Sequence, residues 1–338
     1  MQICICREMR YKFSDLYYDD TKNAKKLKSS EYKNVGKYII VDQGKSLIAG
    51  YTDDEDGLYA DVPAIIFGDH TRNIKYIDSP FFLGADGTKV LKSPLKNVNY
   101  KYLYYLLKNA SIPDTGYNRH FKWLKELIFK CHSQEQQNRI VTILDKLDLT
   151  ITKYREELSL LDELVKARFV EMFGEIEDCD KWKSKIWNEV VTIQNGRDYK
   201  KVLVSDGGYP VVGTGGEIAR SSGYLCPENT IVVGRKGSIN NPMLMREKFW
   251  NVDTAFGVIP NSDYLHYQYF YYFCKFYNFM KLNKATTLPS TTKADLLKIR
   301  INIPPLELQN QFASFVEEID KSRLLSNHSL FLLKSITF

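Results

Sequence analysis

The sequence predicts a mixed α/β (α+β) protein with two globular segments separated by long helices that pair as an antiparallel coiled coil. Two observations carry this prediction. A central stretch of about 40 residues has heptad apolar spacing and contains no proline. Related sequence then begins again, and each half places short apolar runs, typical of strands, before its helix. We therefore expect four segments, residues 1–132, 133–175, 176–304 and 305–338.

The central segment is predicted to be a single long helix. One apolar series recurs every seven residues and a second lies four residues before it, which is the pattern of a helix packed lengthwise on another. Ser133 stands at the N-cap position with Gln136 three residues later, as in a capping box, and Gly174 is expected to end the helix. The predicted seam is Ile140, Leu144, Leu147, Ile151, Tyr154, Leu158, Leu161, Val165 and Met172, with Val316 and Ile319 in the second helix.

Composition excludes several classes of protein. The chain has 338 residues, 44% of them hydrophobic, and no apolar run approaches the roughly 20 residues of a membrane span. The first ten residues do not resemble a secretory signal. The six cysteines are scattered without a CxxC pair, so we expect reduced thiols in the cytoplasm, and neither a disulfide framework nor a zinc site.

The net charge of +6 is concentrated in the two globular segments. Residues 1–132 and 176–304 each carry +5, whereas residues 133–175 carry −3 and residues 305–338 carry −1. Two basic bodies suit a polyanion such as DNA, although a charge of this size is also common in proteins that bind no polyanion.

The chain reads as an internal repeat. Gln137-Asn138 corresponds to Gln309-Asn310 at an offset of 172, and residues 102–105 (YLYY) correspond to residues 269–272 (YFYY) at an offset of 167. A tandem duplication with a few loop insertions explains both offsets. We expect the halves to be related by a pseudo-two-fold axis, with antiparallel helices and the globular bodies at opposite ends.

Glycine-containing polar loops follow a buried strand in both halves. Glycine allows backbone N–H groups to approach a phosphate, and Arg, Lys, Ser and Thr add donors. A tight turn with solvated charges is the alternative, and the absence of GxxxxGK[ST] argues against ATP binding. The candidate contact residues are Gly68, Asp69, His70, Thr71 and Arg72 in the first half, and Arg235, Lys236, Gly237 and Ser238 in the second.

Two further pairs of loops occupy equivalent positions in the halves. Residues 115–120 (TGYNRH) contain side chains that can read base edges, since Arg favours guanine and Asn favours adenine. Residues 286–293 (TTLPSTTK) are rich in hydroxyls that suit phosphate contact. Ordinary polar loops remain the alternative. The additional candidates are Tyr117, Asn118, Arg119, His120, Thr286, Thr287 and Ser290, and, from a third pair, Gln43, Lys45, Gly213, Thr214 and Gly215.

No catalytic or metal site is expected. His70 stands beside Asp69, but no nucleophile is tied to it by spacing, and the second half has Arg235 and Lys236 at that place. No glycine-rich SAM loop or NPPY-like motif occurs.

Several motifs together resemble the specificity (S) subunit of type I restriction–modification systems. The first half contributes FGDHTR (67–72), GADGTKVL (84–91) and YLYYLL (102–107). The second contributes GTGGEIA (213–219), VVGRKGSI (232–239), DTAF (253–256) and PPLELQNQF (304–312). The resemblance covers essentially the whole chain, in the order of the family.

The resemblance implies a subunit with no catalytic activity of its own. Each globular body would be a target recognition domain that reads one half of a bipartite double-stranded DNA target, with the coiled coil as spacer. Residues 68–72, Arg119 and His120 would contact one half-site, and residues 213–215, 235–238 and 286–290 the other. Two methyltransferase (M) subunits and a restriction/translocase (R) subunit are implied as partners, which would hold the SAM, ATP and Mg²⁺.

The sequence departs from this family at two places, and other functions stay open. The last helix is short, and the first half has no obvious counterpart of Trp187-Asn188-Glu189-Val190. A specificity subunit of a bipartite type II system would look alike. An internally duplicated nuclease or transferase, and a coiled-coil scaffold that binds only protein, are alternatives from other classes.

Overall fold

The computed structural model describes residues 9–84, 86–116, 118–176, 181–283, 285 and 287–336. The chain forms two compact units, residues 1–151 with 333–338, and residues 152–332. Each unit is built from short strands and short helices, and one long helix continues from the first unit into the second.

The first unit contains three small sheets. Strands β1 and β9 pair antiparallel, a four-stranded sheet has the order β2-β8-β5-β6, and a three-stranded sheet has the order β4-β3-β7. The elements are β1 (Met9–Lys12), α1 (Phe13–Leu16), β2 (Tyr18–Asp19), β3 (Tyr38–Val41), β4 (Gly50–Thr52), β5 (Ala64–Gly68), β6 (Ile74–Ile77), β7 (Phe81–Leu83), β8 (Thr88–Lys92), α2 (Tyr100–Lys108), α3 (Phe121–Leu124), β9 (Ile128–Cys131) and the long helix α4 (Gln134–Phe173).

The second unit repeats this order of elements with one additional strand, β12. Strands β10 and β19 pair antiparallel, and the two four-stranded sheets have the orders β11-β18-β15-β16 and β12-β14-β13-β17. The elements are β10 (Ser184–Ile186), α5 (Trp187–Val190), β11 (Val191–Asn195), β12 (Leu203–Val204), β13 (Tyr209–Gly213), β14 (Gly216–Ser221), β15 (Thr230–Gly234), β16 (Met243–Met245), β17 (Trp250–Asn251), β18 (Ala255–Pro260), α6 (Tyr267–Phe276), α7 (Lys293–Leu296), β19 (Arg300–Asn302) and the long helix α8 (Leu306–Ile336).

The shared topology confirms the predicted internal repeat. Strand β5 of the first unit and strand β15 of the second each lie between two antiparallel neighbours. The other main sheet of each unit contains one parallel pair, β3–β7 or β13–β17. The first unit does have a counterpart of Trp187–Val190. It is α1, which follows β1 as α5 follows β10 and buries Phe13 and Leu16 where α5 buries Trp187 and Val190.

The central strands are apolar without alternation because both of their faces are buried. Along β5, Ile65 and Phe67 pack in the cluster that includes α2, while Ile66 packs in a separate cluster on the opposite face. Along β15, Ile231 and Val233 face one cluster and Val232 faces another. Successive side chains of a strand point to opposite faces, so a strand buried on both sides needs a continuous apolar run.

Helix α4 begins and ends as its sequence predicts. The Ser133 N–H donates to Gln136 Oε1 at 3.1 Å, and the Gln136 N–H donates back to Ser133 Oγ at 3.4 Å, which forms the capping box. Gly174 has φ +87° and its N–H donates to the Val170 carbonyl at 2.8 Å, a left-handed helix stop that favours glycine.

Within the second unit, α8 runs antiparallel to the last part of α4. The residue numbers of its contact partners in α4 decrease as the residue numbers in α8 increase. Phe312 contacts Phe173, Arg323 contacts Asp162, and Ser326 contacts Glu157. One set of side chains that α8 turns at least partly away from solvent recurs at alternating intervals of four and three residues, as a coiled-coil seam requires. They are Phe312, Val316, Ile319, Arg323, Ser326 and Leu330.

Candidate nucleic-acid interface

In the second unit, the loop after β15 is fastened to the segment before α7. The Thr291 hydroxyl donates to the Gly234 carbonyl at 2.8 Å, and the Gly237 N–H donates to the Pro289 carbonyl at 2.9 Å. Lys236 and Ser290 form an isolated antiparallel bridge. The residues predicted separately at 235–238 and 287–290 therefore form one surface.

Glycine is required at two positions of this loop. A Cβ on Gly234 would lie 2.7 Å from the Ser238 carbonyl oxygen and 2.8 Å from Ile239 Cα. Gly237 has φ +82°, in the left-handed region. These constraints keep the loop close to the strand end and leave the Arg235 and Lys236 side chains exposed.

The turn between β13 and β14 adjoins the same surface. Gly213 pairs with Gly216 across the turn, and the Thr214 hydroxyl lies 3.9 Å from the position that a Cβ on Gly237 would occupy. Thus three predicted segments of the second half, 213–215, 235–238 and 287–290, come together. Thr286 lies outside the described residues.

The positive charge of this surface is not neutralised locally. The Arg235 and Lys236 N–H groups both donate to the Thr254 carbonyl, at 2.8 and 3.2 Å, and the Arg235 guanidinium approaches the Asp253 carbonyl at 3.4 Å. In the part of the chain that the structure describes, neither cation forms an ion pair with a carboxylate. Both charges are therefore available to an anionic ligand such as a phosphate.

In the first unit, Gln43 holds the loop after β5. Its side-chain oxygen accepts from the His70 N–H at 3.2 Å, and its backbone carbonyl accepts from the Thr71 hydroxyl at 2.6 Å and the Asn73 amide at 2.9 Å. Gln43, predicted as a contact residue, is half-buried and fixes the loop that carries Thr71.

Asp69 and His120, both predicted as contact residues, are buried side chains in the first unit. Asp69 is 4% exposed and His120 is 1% exposed. Asp69 Oδ1 accepts from the Phe121 N–H at 2.7 Å, and the Asp69 carbonyl accepts from the His120 N–H at 2.8 Å. In this structure the two residues join the loop after β5 to the start of α3, and their contact with DNA stays a prediction.

Arg72 differs from Arg235 in having a carboxylate partner. Its Nη2 lies 2.6 Å from Asp114 Oδ2, and its Nη1 donates to the Ile112 carbonyl at 3.3 Å. The Gly116 N–H and the Arg72 guanidinium hold the pKa of Asp114 below its usual range. A phosphate that binds Arg72 would have to compete with Asp114.

The remaining candidates of the first unit lie at the surface or outside the described residues. Lys45, Thr71, Asn118 and Arg119 are exposed, His70 is half-buried, and Gly68 is buried at the end of β5. Tyr117 lies outside the described residues. The exposed candidates come from three loops, those around residues 45, 71 and 118.

Helix α2 is tied to α4 by a polar network in the first unit. Lys101 Nζ lies 2.8 Å from Asp145 Oδ2, and the Tyr105 hydroxyl donates to Asp145 at 2.8 Å and to Asp148 at 3.1 Å. Burial and these two carboxylates raise the pKa of Tyr105. The network fastens the globular part of the unit to its long helix.

The predicted seam residues are all turned at least partly away from solvent. Ile151, Val165, Met172, Val316 and Ile319 are buried. The half-buried members are Ile140, Leu144, Leu147, Tyr154, Leu158 and Leu161. Sequence reasoning missed Phe169 and Phe173, which pack with Phe312 near the end of α4.

The described residues contain no group of three side chains suited to a metal ion, and no described helix is long and apolar enough to cross a membrane. Burial raises the pKa of the Cys226 thiol to about 12 and also raises that of Cys131, so both thiols stay protonated at neutral pH.

Comparison with known proteins identifies the family. The model of the type I restriction modification DNA specificity domain matches residues 13–160 and again residues 179–330. The chain belongs to this family. Membership assigns it a specificity role rather than a catalytic one, so the duplicated nuclease or transferase considered from the sequence is not favoured, nor is the bipartite type II alternative.

Individual relatives agree with this membership. The chain is 25% identical to the type I restriction enzyme EcoR124I/EcoR124II specificity subunit of Escherichia coli, over 89% of this chain and 83% of that one. The crystal structure of the type I restriction-modification system S subunit from M. genitalium superposes with a TM-score of 0.65 at 16% identity and covers 100% of this chain and 96% of that one. That superposition supports the fold, two α/β domains with long helices.

Proposed function

We propose that this chain reads a bipartite double-stranded DNA target, with one half-site contacted by each globular unit and the paired long helices acting as the spacer. The observation that carries the proposal is the convergence of three loops on one cationic surface in the second unit, residues 213–215, 235–238 and 287–290. Exposed donors on such a surface suit DNA phosphates and base edges.

The first unit would contact the other half-site through exposed or half-buried residues of three loops. They are Thr71, Arg72, Asn118, Arg119 and Lys45. The buried and half-buried candidates would hold the exposed ones in place. They are Gln43, Gly68, Asp69, His70 and His120. Because Arg72 is paired with Asp114, the first unit would contribute less to phosphate affinity than the second.

The outward face of α8 would receive a methyltransferase subunit. Leu324, Leu325 and Phe331 are 71%, 70% and 69% exposed, and Leu332 is 48% exposed. They lie on the side of α8 opposite its buried seam, since Arg323, Ser326 and Leu330 turn inward. An apolar stripe of this kind on a helix suits packing against a partner helix.

The assembly we propose contains two M subunits and a restriction/translocase (R) subunit, which would bind SAM, ATP and Mg²⁺ and act in the cytoplasm. In this scheme the chain supplies target choice and a binding platform, and the partners supply the chemistry.

The methylome of a defined strain tests the proposal. The chain would be expressed with the methyltransferase encoded beside it in a host without DNA methylation, and N6-methyladenine would be mapped by single-molecule sequencing. We expect one bipartite motif with a fixed nonspecific gap. Exchange of residues 176–304 for those of a relative should change one half of the motif only. A continuous motif, or no methylation from a soluble complex, would refute the proposal.

A further inference from the structure

Leu288 is an exposed apolar side chain within the cationic surface of the second unit. It follows Thr287 and precedes Pro289, and it is 54% exposed. Leu288 lies inside the segment 286–290 that the family resemblance implies in DNA contact, but the individual candidates were its neighbours Thr287 and Ser290 and not Leu288 itself. An exposed leucine on an otherwise polar surface is suited to contact with an apolar group of the ligand.

The described segment around Leu288, residues 287–290, is tied to its neighbours by hydrogen bonds. Asn283 Oδ1 accepts from the Ala285 N–H at 3.1 Å and from the Ser290 N–H at 3.0 Å, so one amide closes the loop from both sides. The Pro289 carbonyl accepts from the Gly237 N–H, which adds a tie to the neighbouring loop. Residues 289 and 290 therefore lose less conformational freedom on binding than residues without such ties would.

The two cations Arg235 and Lys236 lie next to the segment that carries Leu288. Lys236 bridges to Ser290, two residues after Leu288, and the Arg235 carbonyl accepts from the Thr291 N–H at 3.0 Å. A surface that binds phosphates through Arg235 and Lys236 brings Leu288 to the groove edge. The apolar group that base edges display in the major groove is the 5-methyl group of thymine.

We propose that Leu288 is a specificity-determining residue that contacts the 5-methyl group of a thymine in the half-site of the second unit. This inference rests on the proposed function. The contact distinguishes thymine from cytosine without a hydrogen bond, while Thr287 and Ser290 supply the polar contacts on either side.

Replacement of thymine by deoxyuridine tests the contact directly, because it removes the methyl group and leaves the base-pairing edge unchanged. Each thymine of the mapped motif would be replaced in turn, and binding by the full complex with its methyltransferase measured. We expect one replacement in the second half-site to weaken binding about fourfold, as for the loss of one buried methyl group. Leu288→Ala should lose a similar factor on the natural duplex and be insensitive to that replacement.

Leu203→Ala is the matched control. Leu203 is also 54% exposed and lies in the same unit, but it pairs with Ser221, at the end of β14 away from the Thr214 turn. It should keep both natural affinity and sensitivity to deoxyuridine. A response to deoxyuridine that survives in Leu288→Ala would overturn the assignment, as would a second half-site without thymine.

The same measurements separate this inference from the proposed function. If no deoxyuridine replacement weakens binding, yet Arg235→Ala does, the role of Leu288 is wrong and the DNA-contact surface stands. If Arg235→Ala and Leu288→Ala both bind the bipartite duplex like the unmodified chain, the surface itself is misassigned, and both proposals fail.

Discussion

Arg323 Nη2 of α8 donates to Asp162 Oδ1 of α4 at 2.7 Å, within the coiled-coil seam. The equivalent seam position of the other long helix, α4, is an isoleucine. At the offset of 172 that relates the long helices, Arg323 corresponds to Ile151, which is buried. Arg323 also approaches Asp320 at 3.2 Å and the Tyr272 hydroxyl at 3.3 Å. One arginine thus links α4, α6 and α8 in the second unit, whereas the equivalent residue of the first unit is a buried isoleucine.

Removal of the Arg323 side chain should destabilise the second unit moderately. Arg323→Ala removes the guanidinium from Asp320 and Tyr272, but Asp162 is 58% exposed and keeps its ion pair with Lys275. We expect a loss of about 1–2 kcal/mol in the free energy of unfolding. Arg323→Ile, which copies position 151, should recover most of that loss because it restores an apolar seam.

Urea denaturation of the purified chain, followed by circular dichroism, measures both variants. Lys275→Ala is the control, because its pair with Asp162 is more exposed and should change stability by less than about 0.5 kcal/mol. If Arg323→Ile lowers the free energy of unfolding more than Arg323→Ala does, the polar link of Arg323 and not an apolar seam stabilises α8 at this position.

The fold was largely predictable because its main signals are local or periodic. The heptads of α4, its capping box and Gly174 define one helix from sequence alone. Phe169 and Phe173 were missed because an ideal helix drifts from a 3.5-residue repeat by about 20° per heptad. Near its end α4 packs on a globular core rather than along one helix, and the buried stripe moves accordingly.

The candidate site was less predictable because burial decides function among similar polar residues. Arg72 and Arg235 follow equivalent strands, yet among the residues that the structure describes only Arg72 has a carboxylate partner, and that partner lies 42 residues away in the sequence. Asp69 and His120 look like surface residues in sequence and are buried by contacts between two loops. Such long-range pairing leaves no mark in residue spacing.

The salt dependence of DNA binding should differ between the two arginines. Arg235→Ala removes an uncompensated cation, so the slope of log K against log salt should fall by about 1. Arg72→Ala should change it less, because the phosphate must displace Asp114. Asp114→Asn should instead raise affinity for nonspecific duplex. Fluorescence anisotropy across a salt series measures all three, and equal slopes for the two alanine variants would contradict the masking of Arg72.

Gly234→Ala should disrupt the cationic surface without unfolding the chain. A Cβ there meets backbone atoms of Ser238 and Ile239 that cannot move aside independently. We expect DNA affinity to fall at least tenfold, because the loop that carries Arg235 must shift. Gly223→Ala is the control, since a Cβ there would meet no described atom within 4 Å other than those of its own residue and its chain neighbours. Unchanged DNA affinity in Gly234→Ala would separate this loop from binding.

The N-terminus of α6 should make stability sensitive to acid. His266 Nδ1 accepts from the Gln268 N–H at 3.2 Å, and burial lowers the pKa of His266. The neutral ring is therefore the form that caps the helix. Because the folded pKa lies below the unfolded value near 6.5, this contribution is present above pH 6.5 and is lost as pH falls through the folded pKa.

His266→Asn isolates this effect, because Asn99 caps α2 at the equivalent position and does not titrate. Melting temperatures would be compared at pH 7.5 and pH 5. The unmodified chain should lose more stability on acidification than His266→Asn. Equal losses in the two proteins would assign the acid sensitivity to other groups.

The exposed stripe of α8 should be needed for subunit association and not for folding. Leu325→Glu places a charge at a side chain that is 70% exposed, so the free energy of unfolding should change by less than about 0.5 kcal/mol. Packed against a partner helix, the same charge would be desolvated, and association with the methyltransferase should weaken more than tenfold. Ser322→Glu, on an exposed position of the same helix outside the stripe, serves as the control. Co-purification and analytical ultracentrifugation measure association, and a Leu325→Glu chain that still forms the complex at unmodified affinity would place the methyltransferase on a different face.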